Sequence, residues 1–169
     1  MLASVRLLLA TAILLTSCKD KQPPKGVPHV SAFAPLPAGS APVADPAEGA
    51  PAYPPGPPSV VVWRGGGEPP KTELAIRVWN NGRVRYTCGK GATIAPERVT
   101  AMVAAFEKAG WNPATAKEST PPDSQCISTS VQLGIGLATE RRDSGCGPVP
   151  YDIADAVEFV QSVVGPPPC

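Results

Sequence analysis

The stretch ELAIRVWNNGRVRYTC, residues 73–88, decides the fold. Leu74, Ile76 and Val78 alternate with Glu73, Ala75, Arg77 and Trp79. After Asn80-Asn81-Gly82, Val84, Tyr86 and Cys88 alternate with Arg83, Arg85 and Thr87. A period of two sends successive side chains to opposite faces of a sheet, so each half reads as a strand with one apolar face. The turn sets the register. A three-residue loop with Gly82 in the left-handed conformation places Val78 opposite Val84, Ile76 opposite Tyr86 and Leu74 opposite Cys88. A two-residue Asn81-Gly82 turn would oppose Trp79 to Val84 and put the two faces out of step. The three-residue loop is therefore expected.

Working outward, VVVW at residues 60–63 is a β-branched run that predicts an earlier strand, and residues 65–71 (GGGEPPK) read as a loop. Downstream, APERVTAMVAAFEKAGW at residues 95–111 carries Val99, Met102, Val103 and Phe106 at helical spacing. Pro96 suits its first position and Gly110 its C-terminal cap. Residues 112–125 read as a loop. Residues 126–133 alternate through Ile127, Thr129, Val131 and Leu133, and residues 137–142 return around Gly134-Ile135-Gly136. Pro150 opens a second helix with Ile153, Val157, Val160 and Val164 on one face, ending at Gly165. The order βββαββα predicts an α+β domain: a small antiparallel sheet of about five strands with two helices on one face.

That domain spans residues 59–165, with residues 166–169 as a Pro-rich tail. Before it, residues 18–58 are dominated by Pro, Ala and Gly and read as a disordered linker that cannot bury enough surface to offset its ordering entropy. The chain's single histidine, His29, falls in that linker, so the folded part is expected to hold none. From residue 59 onward 11 Lys and Arg balance 11 Asp and Glu. This neutrality leaves no electrostatic footprint for nucleic acid and no basic stripe for anionic lipid.

The chain opens with Arg6, an apolar run at residues 7–15, and then LLTSC at residues 14–18. A positive start, a short apolar core and small residues at the cut predict a signal peptide over residues 1–17. The run is too short to cross a bilayer, which takes about 20 apolar residues. Leu-Thr-Ser-Cys resembles the bacterial lipobox, which implies cleavage before Cys18, lipidation of its thiol and acylation of the new amino terminus. Several acyl chains on one residue would anchor the protein to a membrane without a spanning helix. Lys19 after that cysteine favours the outer membrane, by resemblance to enterobacterial sorting rules.

Residues 73–111 also resemble the core of an uncharacterised family of bacterial lipoprotein domains. Its members show a hairpin with an Asn/Asp-Gly turn and a following Tyr, then a helix opened by a Glu and closed on a Phe. Asn81, Gly82, Tyr86, Pro96, Glu97, Val99 and Phe106 fill those places, and the likeness extends over residues 60–164. The chain departs from the family at GGGEPPK, where members usually carry a pair of cysteines. These motifs specify turn, helix start and core. The resemblance implies a fold and supplies no catalytic residue.

No catalytic, metal or cofactor constellation emerges. A domain without histidine excludes His-based triads and most zinc sites. Asp152 and Asp155 are the nearest carboxylate pair, and their ordinary reading is favourable negative charge in the first turn of the second helix. The surface above background is the hairpin's outer face, where Arg77, Trp79, Arg83 and Arg85 are expected to point away from the core. Trp79 stands across from Arg83, within cation–π reach, and Arg77 across from Arg85 as a like-charge pair. Trp and Arg are the usual interface anchors, so this face is the candidate site for an acidic envelope protein or glycan. The function expected is a monomeric, lipid-anchored binding or structural module. The alternative is an envelope hydrolase acting through carboxylates.

Export makes disulfides the ordinary reading of Cys88, Cys126, Cys146 and Cys169. A hairpin centred on Gly136 opposes residues whose numbers sum to 272. That places Cys126 opposite Cys146 and leaves Cys88 to pair with Cys169.

Overall fold

The structure is a computed structural model and describes residues 29–44, 54, 56–67, 71–115 and 126–168. Its elements are β1 (Val43–Ala44), β2 (Val60–Gly66), β3 (Lys71–Val78), β4 (Arg83–Tyr86), β5 (Gly91–Thr93), α1 (Pro96–Lys108), β6 (Ser128–Ile135), β7 (Ala138–Asp143) and α2 (Tyr151–Val164). The strands form one sheet in the order β1-β5-β4-β3-β2-β6-β7, antiparallel at every junction. The fold is α+β as expected, with seven strands in place of about five.

The β3–β4 hairpin takes the three-residue loop. Ile76 pairs with Tyr86 and Val78 with Val84. Trp79 N donates to Arg83 O at 2.9 Å, and Gly82 stands at φ 85°. Leu74 does not reach Cys88, because β4 stops at Tyr86 and residues 87–90 turn into β5. The Thr87 hydroxyl closes that end of the ladder by bonding both the N–H and the C=O of Ala75.

The core is one cluster. Val60, Val62, Ile76, Val78, Val84, Tyr86, Val131 and Leu133 from the sheet meet Val99, Met102 and Phe106 of α1 and Ile153, Phe159, Val160 and Val164 of α2. Both helices therefore cover the same face. α1 starts on Pro96 and ends with Gly110 at φ 87°; Gly110 N donates to Glu107 O and Trp111 N to Phe106 O. That pair of bonds satisfies the last carbonyls and turns Trp111 inward to 1% exposure. On α2 the buried stripe is wider than predicted. Ala156, Phe159 and Val163 are buried, while Val157 is only partly so.

Two expectations are corrected beside the strand count. The β6–β7 hairpin turns on the two residues Gly136 and Leu137, with Ile135 paired to Ala138 and Val131 to Arg142. Facing numbers sum to 273, one more than expected. Gly136, at φ 63°, provides the positive φ that a two-residue hairpin needs at its first position. The second correction concerns residues 29–44, read as linker. They pack on the helices: Phe33 is buried among core residues, and Val43 and Ala44 extend the sheet beside β5. The sole histidine is thus part of the folded body. A run rich in Pro and Ala still contains one aromatic plug, and burying a Phe contributes about 2 kcal/mol or more.

Candidate binding face

Because Val60, Val62, Ile76, Val78, Val84 and Val131 point to the helices, their strand neighbours point the other way. Register then lines up a row across five strands: Arg85 opposite Arg77, Arg77 opposite Val61, Val61 opposite Gln132, and Gln132 opposite Arg141. At about 4.8 Å per strand the row is roughly 19 Å long. Arg77 and Arg85 are exposed, and Val61, Gln132 and Arg141 half-buried. Arg141 Nη2 lies 3.2 Å from Asp143 Oδ2. In the adjoining row, half-buried Trp63 stands between Ala75 and Ser130. The face therefore carries Arg85, Arg77 and Arg141 along one row and the half-buried Trp63 in the row beside it.

The four residues expected there separate into two pairs. Arg77 and Arg85 are exposed on it as predicted. Trp79 and Arg83 are not: Trp79 is 8% and Arg83 4% exposed. For Trp79 the cause is the segment leading into β2, which lies over its indole. Trp79 Nε1 donates to Gly56 O at 3.3 Å, and Pro54, Pro57 and Pro58 line a groove with the indole. Gly134 lets this segment come close, since a Cβ there would lie 3.1 Å from Pro58 O. Alternation says which face a side chain takes but not what covers that face, so nothing in the hairpin itself signals this burial.

Other expected residues fall as follows. Cys126 and Cys146 form a disulfide with Cα atoms 5.4 Å apart. Cys88 is disulfide-bonded as well. Cys169, expected as its partner, and Cys18 lie outside the described residues. The two helix carboxylates do not converge. Asp152 Oδ2 is 3.2 Å from Arg142 Nη1, whereas Asp155, 9% exposed, accepts from His29. A shallow groove lined by Glu73, Leu74, Thr87, Cys88 and Pro167 carries a single carboxylate. No helix among the described residues is long and apolar enough to cross a membrane.

The site that sequence reasoning missed is on the helix side. His29 Nε2 lies 2.9 and 2.8 Å from the two oxygens of Asp155, and its ring stacks on Tyr151 with centroids 4.3 Å apart. The signal available was the placement of a lone His four residues before a lone Phe inside a Pro/Ala run.

Comparison with family models, curated proteins and solved structures finds no match for this chain, so its functional reading stands on the residues themselves.

Proposed function

We propose that the chain is a lipid-anchored protein of the bacterial cell envelope, held through Cys18, whose outer sheet face docks an acidic protein segment. The observation that carries the docking is the cross-strand pair of Arg77 and Arg85, both exposed and directly opposite each other. Two guanidinium groups side by side on neighbouring strands concentrate positive charge on one spot of the face, which an acidic segment complements. Trp63 and Val61 beside that line offer apolar contact, and Arg with Trp is the pairing that anchors interfaces. The lipobox at residues 14–18 supports the anchor, and Lys19 supports the outer membrane. A hydrolase has no comparable support, since Asp152 is engaged by Arg142 and Asp155 by His29, and the two carboxylates do not converge.

The test is binding of a synthetic glutamate-rich peptide to the purified full chain, with a polyuronate as the competing probe. The expected result is peptide binding that weakens at least tenfold in Arg77→Glu/Arg85→Glu and falls with added salt. Equal binding by wild type and the reversed variant overturns the face. Preference for the polyuronate reassigns it to a glycan. The anchor is tested separately: wild type should enter a detergent phase and Cys18→Ala should not.

A further inference from the structure

Residues 29–44 grip the domain at points spread over its helix side. His29 bonds both oxygens of Asp155 and stacks on Tyr151. Ala32 N donates to the same carboxylate at 3.3 Å. Phe33 enters the cleft between the helices, its ring 5.0 Å from that of Phe106 on α1 and 4.7 Å from that of Phe159 on α2. At Gly39 the chain passes so close to Arg98 that a Cβ would meet its guanidinium at 2.1 Å. Val43 and Ala44 then pair with Thr93 and Ala92 at the sheet margin.

This grip differs in kind from that of the central strands. β2 is paired along seven positions with β3 and six with β6. Among the described residues the arm has a two-residue ladder and one N–H to a carboxylate, with side-chain contacts by His29, Leu36 and Phe33 and close approaches of Gly39 to Arg98 and Pro42 to Gly165. Pro35, Pro37 and Pro42 offer no N–H at all. Segments with few backbone bonds and few buried apolar groups open at far lower free energy than the global unfolding of the body. The pairings of β2, β3, β4, β6 and β7 with one another involve none of these residues.

We infer that residues 29–44 are a releasable clamp: docked, they hold the domain close to residue 18, and released, they lengthen the tether and uncover an aromatic cleft between α1 and α2. The lengths follow from chain geometry. With the arm docked, the ten residues 19–28 reach at most about 35 Å. With it released, the thirty-five residues 19–53 can span at most about 108 Å as extended polyproline II, because residues 54–58 stay packed beside Trp79. Release therefore extends the domain's radius of action about threefold. The membrane consequence depends on the lipid-anchor reading; the clamp does not.

Two measurements on the full chain test it. Hydrogen exchange should show amides of residues 29–44 opening independently of β2, β3 and β6, and at least tenfold faster again in His29→Ala/Phe33→Ser, with the sheet unchanged. Asp155→Asn, which keeps the plug, should give a smaller acceleration in the same amides. If arm and sheet exchange as one unit in wild type, or if the arm's exchange is the same in all three proteins, there is no clamp. The second measurement is energy transfer from a bilayer dye to a label on the domain of the lipidated protein, expected to fall in the double variant. Failure of the protein to join the bilayer would refute the anchor while the exchange data still judge the clamp. Unchanged transfer on the bilayer despite a freed arm overturns the tether-length role.

Discussion

The guanidinium carbon of Arg142 lies 4.1 Å from the centroid of the Trp111 ring, while its nitrogens reach Glu140 Oε1 at 2.9 Å, Asp152 Oδ2 at 3.2 Å and Gly110 O at 2.9 Å. One side chain thus ties β7, the first turn of α2 and the end of α1. A planar fork can satisfy these directions together, and an ammonium cannot. Arg142→Ala is expected to lower stability by about 2 kcal/mol, and Arg142→Lys to restore less than half of that, read from urea midpoints at constant m.

The Cys126–Cys146 bond closes a separation of 20 residues. In the chain-entropy model it stabilises by roughly 3 kcal/mol, mostly by restricting the unfolded chain. Cys126→Ser/Cys146→Ser should therefore lower the melting temperature by several degrees while leaving the amide pattern of β2, β3 and β4 unchanged. Non-reducing peptide mapping of the wild type should give the 126–146 crosslink. A main species joining Cys88 to either of these residues would contradict the fold at this end.

Tyr86 is buried, and its hydroxyl donates to Val164 O at 2.6 Å, tying β4 to the end of α2. Desolvation by burial raises its pKa above the ordinary 10.0. A raised acid holds its proton more tightly when folded. Its contribution is complete below pH 10.0 and is lost as pH climbs from there through the folded value. Stability should fall in that alkaline window. Tyr86→Phe should cost about 1 kcal/mol at neutral pH and flatten this limb relative to wild type. Parallel alkaline limbs in the two proteins would show that other groups cause the fall.

Gly82 stands at φ 85°, its carbonyl accepts from Ile94 N at 2.9 Å, and a Cβ would lie 2.0 Å from Ile94 O. Both backbone conformation and space exclude a side chain, and the obstructing atom is backbone. Gly82→Ala should destabilise by more than about 2 kcal/mol, well above the usual cost of a left-handed alanine alone. Asn81→Ala in the same loop, losing one Oδ1 contact to Arg83 N, should cost less than half as much in the same denaturation assay.

Arg77→Glu converts a facing like-charge pair into an opposite-charge one. Arg77 is exposed, so the urea midpoint of the free domain should stay within about 0.5 kcal/mol of wild type. Capture of a glutamate-rich peptide should weaken in the same variant. Unchanged capture would show that the face is only a solvated surface.

The hairpin and α1 were legible because two independent signals agreed at each: strict alternation with a turn glycine, and helical spacing with Pro96 and Gly110. β5 was not, since Gly91-Ala92-Thr93 is too short to display a period and becomes a strand only through its neighbours. At the β6–β7 hairpin the right cysteines were paired from a register one residue off. Ser144 still bonds Thr129 in the 273 register; from that pair the chain takes three steps to Cys126 and two to Cys146, so the extra residue that brings the cysteines together lies on the Cys126 side. For the candidate face, strand alternation placed Arg77 and Arg85 correctly. It could not foresee the burial of Arg83, nor that of Trp79, whose indole is covered by Gly56 and by Pro54, Pro57 and Pro58 rather than by the hairpin. Composition concealed the arm for a related reason. A fraction of Pro and Ala describes a segment's average, whereas docking here hangs on His29 and Phe33.

The two margins of the sheet are unlike its interior. One is β7, whose Glu140, Arg141, Arg142 and Asp143 put charge on both sides of the strand, and the other is β1, two residues long. Neither can serve as a template: an incoming strand would have to strip solvent from a charged row or add to a ladder too short to hold it. While the arm stays docked, the two margins seen among the described residues therefore disfavour lateral sheet growth between copies packed side by side.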